Sequence, residues 1–169
     1  TVSITSTGAN AGALTLTSTT VSANATGASG NGGSVILTGN TFTGGVGQTF
    51  SANGASAGNG NGGSVSLTTL GAAADITLAA GAFTLAATSG STGGNGGALT
   101  ASAGRTFTLS AAGLLNASVL AGNGNGGTVN ITASSNAAAN GTLTVTPGIT
   151  VNGSGTGNGG AINITNNSN

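Results

Sequence analysis

The chain has 169 residues, of which 35 are Gly, and its only charged side chains are one acid and one base. Since almost no basic residue is present to replace counterions along a phosphate backbone, we expect no nucleic-acid binding. The absence of His and Cys removes the usual metal ligands, and one carboxylate alone provides no acid–base pair, so we expect a non-enzymatic protein without cofactor.

An Asn-Gly-Gly triplet recurs five times, and a short strand pattern follows each copy. The triplets begin at Asn31, Asn61, Asn95, Asn125 and Asn158, at intervals of 30, 34, 30 and 33 residues. A similar strand pattern opens the chain at Thr1, so repeat units begin near Thr1 and near each triplet. Such a period is typical of a stack in which each unit buries its apolar face against its neighbours. We predict one repeat domain over residues 1–169.

The first strand of each unit alternates apolar and mostly polar residues. This period of two predicts a strand with one buried face and one solvated face. The predicted buried positions are Val2, Ile4, Val35, Leu37, Val65, Leu67, Leu99, Val129, Ile131, Ile162 and Ile164.

Two further strand patterns follow in each unit. The second is marked by Leu14/Leu16, Phe42, Ile76/Leu78, Phe107/Leu109 and Leu143/Val145. The third is marked by Val21/Ala23, Phe50/Ala52, Phe83/Leu85, Leu115/Ala117 and Ile149/Val151. Three short strands per repeat predict an all-β fold, a right-handed parallel β-solenoid of about five to six coils of 30–34 residues.

Gly-rich and Asn-rich segments separate the strands. Segments 58–63 and 122–127 read Gly-Asn-Gly-Asn-Gly-Gly, and we expect them to form corners because Gly and Asn tolerate positive φ. The triplet Asn residues would then stack as an Asn ladder, joined by their side-chain amides. The same glycines match a dinucleotide-binding fingerprint, but that fingerprint requires a helix where a strand pattern follows here.

The two charged side chains are predicted to pair. Aligning Ile76 with Phe107 places Asp75 and Arg105 on adjacent coils, one position apart. We expect a structural ion pair along the stack, and an exposed pair of this kind contributes about 0–1 kcal/mol.

Thr occurs in every coil on the outward face of the second strand, at Thr15, Thr41 or Thr43, Thr77, Thr108 and Thr144. A regular outward Thr array is a feature of ice-binding β-solenoids, so ice binding is one alternative function. Thr is also a good strand former on a solvated face.

The sequence also indicates how the chain would interact with membranes, with other coils and with glycans. No apolar run approaches the roughly 18 residues of a membrane-spanning helix, so we expect no membrane insertion. An uncapped terminal coil would present unpaired backbone groups to another coil. We therefore expect either head-to-tail homopolymers or neighbouring repeats of a longer chain. Several Asn-x-Ser/Thr sequons, such as those at Asn24 and Asn116, would also accept glycans.

The unit Asn-Gly-Gly-Ser-Val-x-Leu-Thr, at 31–38 and 61–68, resembles the repeats of large secreted bacterial β-solenoids. These include filamentous-haemagglutinin-like exoproteins and autotransporter passengers. The resemblance implies an extracellular or cell-surface location and adhesive or structural work. Together with the uncapped coils, it predicts a subunit of an extracellular filament, with a segment of a large surface adhesin as the alternative.

Overall fold

The computed structural model describes residues 1–6, 13–17, 19–44, 47–78, 83–109, 113–134, 141–146 and 148–167. These ranges contain strands and corners only, and none of them holds a helix long and apolar enough to cross a membrane. The strands, in chain order, are β1 (Val2–Thr5), β2 (Ala13–Leu16), β3 (Thr20–Ser22), β4 (Ser34–Gly39), β5 (Thr41–Gly44), β6 (Gln48–Ser51), β7 (Ser64–Thr69), β8 (Ile76–Leu78), β9 (Phe83–Ala86), β10 (Ala98–Ala103), β11 (Phe107–Leu109), β12 (Gly113–Asn116), β13 (Thr128–Ser134), β14 (Leu143–Val145), β15 (Gly148–Thr150) and β16 (Ala161–Asn167).

Every third strand joins the same sheet. The first sheet runs β1-β4-β7-β10-β13-β16, the second β2-β5-β8-β11-β14, and the third β3-β6-β9-β12-β15. All of the strand pairs are parallel. The predicted parallel β-solenoid is confirmed, with five three-strand coils followed by one strand of a sixth rather than a complete sixth coil. Its right-handed winding remains a prediction from the general rule for parallel crossovers.

The register of the first two sheets matches the alignment on the triplets. Val35 pairs with Val65, and Val65 with Leu99. In the second sheet Ile76 pairs with Phe107. Residues 30–34 apart therefore lie directly over one another in the first sheet, and residues 28–36 apart do so in the second.

The third sheet corrects one predicted alignment. Phe50 pairs with Leu85, and Leu85 with Leu115, so Leu85 occupies the column where the sequence placed Phe83. Both residues satisfy a period of two, so alternation alone could not choose between them.

The core is a narrow apolar column enclosed by the three sheets. Inward residues of the middle coils, such as Leu67, Ile76 and Phe107, are fully buried. Among the predicted first-strand positions, Val35, Leu37, Val65, Leu67, Leu99, Val129 and Ile131 are buried, and Val2 and Ile4 are partly buried.

The sequence predicted that Ile162 and Ile164 are buried in the core, but the structure leaves both exposed. Their side chains are 44% and 46% exposed, whereas Val129 and Ile131 on the paired strand below are 0% and 1% exposed. The reason is that no described coil covers β16, so its inward face has a neighbour on one side only.

Candidate functional site

The triplet Asn residues form a continuous ladder along one corner of the solenoid. Their side-chain Oδ1 atoms accept hydrogen bonds from the backbone N–H of the next triplet Asn. The N–Oδ1 distances are 2.9 Å for Asn61 to Asn31, 2.8 Å for Asn95 to Asn61, 2.8 Å for Asn125 to Asn95 and 2.8 Å for Asn158 to Asn125. We call these five residues the Asn ladder.

The bonding in the Asn ladder differs from the predicted contact between side-chain amides. Here each side chain substitutes for a backbone acceptor at a corner, where the strand ladder is interrupted. Two side-chain amides do contact each other on the outward face of the first sheet, where Asn163 Nδ2 donates to Asn130 Oδ1 at 2.8 Å.

The two glycines of each triplet allow the coils to approach closely. A Cβ at Gly96 would lie 1.9 Å from the Ala117 carbonyl oxygen in the coil above, and one at Gly97 would lie 2.1 Å from the Gly63 oxygen below. A side chain at either position would therefore overlap the backbone of a neighbouring coil.

Close packing also accounts for the corners, which the sequence analysis attributed to positive φ. Gly122 does have a φ of +78°. In segment 58–63, however, none of the glycines has a positive φ. A Cβ on Gly58 would instead lie 1.5 Å from the Ala28 oxygen, so proximity excludes larger residues there.

A second polar ladder lies after the third strand, and sequence reasoning did not find it. Asn24 Oδ1 accepts from Asn53 N at 2.7 Å, and Asn53 Oδ1 accepts from Thr88 N at 3.0 Å. Higher in the stack, Asn152 N donates to Ser118 Oγ at 3.0 Å. Because the column mixes Asn, Thr and Ser, and lies six to eight residues before the next triplet, neither a motif nor a fixed spacing marks it in the sequence.

Asp75 and Arg105 lie together as the alignment places them. Arg105 Nε donates to Asp75 Oδ1 at 2.8 Å, and Arg105 Nη2 donates to Asp75 Oδ2 at 2.5 Å. The bond from the Arg105 side chain is the main reason why the pKa of Asp75 lies below its usual value, and the Thr106 N–H adds to the effect. The carboxylate in turn raises the pKa of Arg105. Both side chains are partly exposed, so the pair links two coils with modest energy.

Thr hydroxyls lie in registered columns on two outward faces. The five predicted residues of the second sheet, Thr15, Thr43, Thr77, Thr108 and Thr144, pair one with the next. The first sheet carries a column of five Thr and one Ser that the sequence analysis did not identify, made of Thr5, Thr38, Thr68, Ser102, Thr132 and Thr165. The ion pair lies beside the second-sheet column, whereas the outward positions of the first sheet are uncharged.

Within the described ranges, no group of three or more His, Cys, Asp or Glu side chains lies close enough to hold a metal. A shallow surface depression next to Asp75 is lined by Asn40, Thr41, Gly71, Ala73 and Ala74. It supplies no second titratable group beside the carboxylate.

The chain matches no protein-family model, no curated protein and no solved structure. The geometry of its own residues therefore carries every functional argument.

The last coil presents an open edge. The inward side chains Ile162 and Ile164 of β16 are exposed, and a Cβ at Gly159 would meet nothing within 4 Å. In the covered triplets the equivalent glycine faces a carbonyl oxygen of the coil above at 1.8–2.1 Å from the Cβ position. This edge thus has the shape of an internal coil boundary, and no coil of the described residues covers it.

Proposed function

We propose that the protein is a non-enzymatic structural subunit of an extracellular filament, in which β-solenoids join end to end. The observation that carries this proposal is the open β16 edge with its two exposed isoleucines. An uncovered parallel edge offers unpaired backbone groups together with apolar surface, which is a template for another strand. The partner we assign to it is a second copy of this chain.

The residues at the open edge support the same assignment. Gly159 and Gly160 keep the triplet sequence, although only a further coil would bring a carbonyl oxygen against Gly159. The near absence of charge also favours stacking, since coils about 4.8 Å apart would otherwise repeat like charges at short range.

The strand count restricts how two copies could join. The first sheet holds six strands and the others hold five, so the next unpaired edge along the winding is that of β14. A copy whose β1 pairs with β14, β2 with β15 and β3 with β16 would keep all three sheets continuous. Such a joint rotates each copy by one sheet face, and its contacts are head-to-tail and do not close into a ring.

The second candidate is a repeat segment of a large cell-surface adhesin or exoprotein. In that case the covering coil belongs to the same polypeptide. The same open edge favours it, because further repeats would place strands over β14, β15 and β16 in turn without any rotation.

The third candidate is ice binding through an outward Thr array. The registered Thr columns favour it, and the uncharged first sheet is a better surface for it than the second sheet, where Asp75 interrupts the polar rows. Thermal hysteresis of the purified chain, lost when Thr68 and Thr132 become bulky residues, would support this candidate.

Electron microscopy and sedimentation of the purified chain test the filament proposal. We expect long unbranched fibres from the unmodified chain, and monomers from Ile162→Lys/Ile164→Lys, which places charges on the joint without disturbing a covered coil. The matched control Thr100→Lys lies on an outward face and should still form fibres. If the unmodified chain stays monomeric at high concentration, end-to-end assembly is refuted, and the adhesin-segment candidate is favoured.

A further inference from the structure

Asn followed by Gly is unusually frequent in this chain. In this dipeptide the Gly backbone nitrogen can attack the Asn side-chain carbon, since Gly has no side chain to hinder the approach. Nine such pairs lie in the described ranges, beginning at Asn31, Asn53, Asn59, Asn61, Asn95, Asn123, Asn125, Asn152 and Asn158. A tenth pair, at Asn140, lies partly outside them.

The coil above restrains the attacking nitrogen in seven of the nine pairs. The Gly N–H groups of these pairs donate to backbone oxygens of the next coil, from Gly32 to Asn61, Gly54 to Thr88, Gly60 to Gly93, Gly62 to Asn95, Gly96 to Asn125, Gly124 to Ser154 and Gly126 to Asn158. A carbonyl oxygen facing the nitrogen stabilises the protonated amide and disfavours the anion that must attack.

In the Asn ladder the side-chain carbonyl group that would be attacked is restrained as well. Asn125 Oδ1, for example, accepts from Asn158 N at 2.8 Å, which holds its side-chain carbonyl against the coil above. Attack at Asn125 therefore requires that two inter-coil hydrogen bonds open first.

The two exceptions are Asn152 and Asn158, both in the last coil. Among the described residues, no backbone oxygen accepts a hydrogen bond from Gly153 or Gly159. The two glycines differ in how closely their surroundings are packed. A Cβ built on Gly153 would lie 2.1 Å from the Asn158 oxygen, whereas a Cβ built on Gly159 would meet nothing within 4 Å. The backbone at Gly159 can therefore move toward the side chain of Asn158.

We propose that Asn158 is a site of spontaneous, self-catalysed deamidation, and that stacked coils protect the rest of the Asn ladder. The deprotonated Gly159 nitrogen bonds to Cγ of Asn158, the Cγ–Nδ2 bond breaks, and Nδ2 leaves as ammonia with protons from solvent. Water then opens the cyclic imide at either carbonyl and yields aspartate or isoaspartate, with no oxidant or reductant involved.

The product changes the open edge. Aspartate at 158 places a negative charge at the end of the Asn ladder, and isoaspartate adds a methylene group to the backbone. The added backbone atom would shift the residues after it out of register with a covering coil, since one extra unit displaces a strand pairing. Deamidation would thus block the edge against further coils.

Peptide mapping by mass spectrometry of the 169-residue chain, kept dilute enough to remain monomeric and incubated at mildly alkaline pH, tests the proposal. Asn125 is the matched internal control, because both residues lie in Asn-Gly-Gly. Each net hydrogen bond slows opening by about two- to tenfold, so we expect Asn158 to react about tenfold faster than Asn125 or more. In urea, where the coils are unfolded, the two rates should become equal.

The variant Gly159→Ala provides a second test, because the structure has room for the methyl group. We expect it to slow the reaction at Asn158 at least about tenfold through hindrance at the nitrogen, with unchanged thermal stability. Equal native rates at Asn125 and Asn158, or a preference for Asn158 that persists undiminished in urea, would overturn the proposal.

Discussion

Gly96→Ala tests the close packing between coils most directly. The new Cβ would lie 1.9 Å from the Ala117 oxygen and 2.5 Å from Gly127 N, so the coils must separate locally by roughly 1 Å. That shift disturbs the Gly127-to-Ala117 bond of 2.7 Å and the Gly96-to-Asn125 bond of 2.9 Å. Losing both, with residual strain, costs about 2–4 kcal/mol. For a chain of this size we expect the melting temperature to fall by roughly 5–15 °C.

Gly159→Ala is the matched control for this experiment, because it makes the same change at the same position of the last triplet, which lies at the uncovered edge. We expect its free energy of unfolding to stay within about 0.5 kcal/mol of the unmodified chain. Circular dichroism melts of the two variants provide the comparison. If Gly96→Ala is silent, or if both variants lose equal stability, the triplet glycines are not required by coil-to-coil packing.

Three further substitutions, the first with a matched control, address the core, the Asn ladder and the ion pair. Leu78→Asp places a charge in the fully buried core and should unfold the chain, at a cost above about 4 kcal/mol, whereas Thr77→Ser should change stability by less than about 0.5 kcal/mol in the same melts. Asn95→Ala removes the acceptor of Asn125 N–H and should lower the urea midpoint by the equivalent of about 0.5–1.5 kcal/mol; no change would indicate that water replaces the bond fully. Asp75→Asn removes a carboxylate whose pKa in the folded state is lowered, so the unmodified chain should be more stable by up to about 1 kcal/mol at neutral pH. That advantage should shrink as the pH falls below 3.8, the ordinary pKa of the group, and an advantage that grows in acid would contradict the pairing.

The sequence was sufficient for the fold wherever a fixed motif set the register. The Asn-Gly-Gly triplets align Val65 with Leu99, and the aligned apolar pairs place Ile76 over Phe107, as the structure has them. These pairings also bring Asp75 to Arg105. A triplet precedes the first strand of every coil after the first, so alignment errors cannot accumulate from one coil to the next.

Other features depended on three-dimensional neighbours that no motif marks. The choice between Phe83 and Leu85 needed the distance to the corner as well as the period of two. The polar ladder through Asn53 and Thr88 mixes residue types, so it is visible only after the coils are stacked. The exposure of Ile162 depends on which coil lies above it, and a repeat pattern treats all coils as equivalent.

The most direct test of the in-register stack is an NMR measurement of backbone contacts across the first sheet. Nuclear Overhauser contacts should connect Leu99 with Val65 on one side and with Val129 on the other, in the pattern of parallel strands. Contacts between strands adjacent in sequence, such as β10 with β11 in an antiparallel hairpin, would contradict the solenoid and the filament proposal that depends on it.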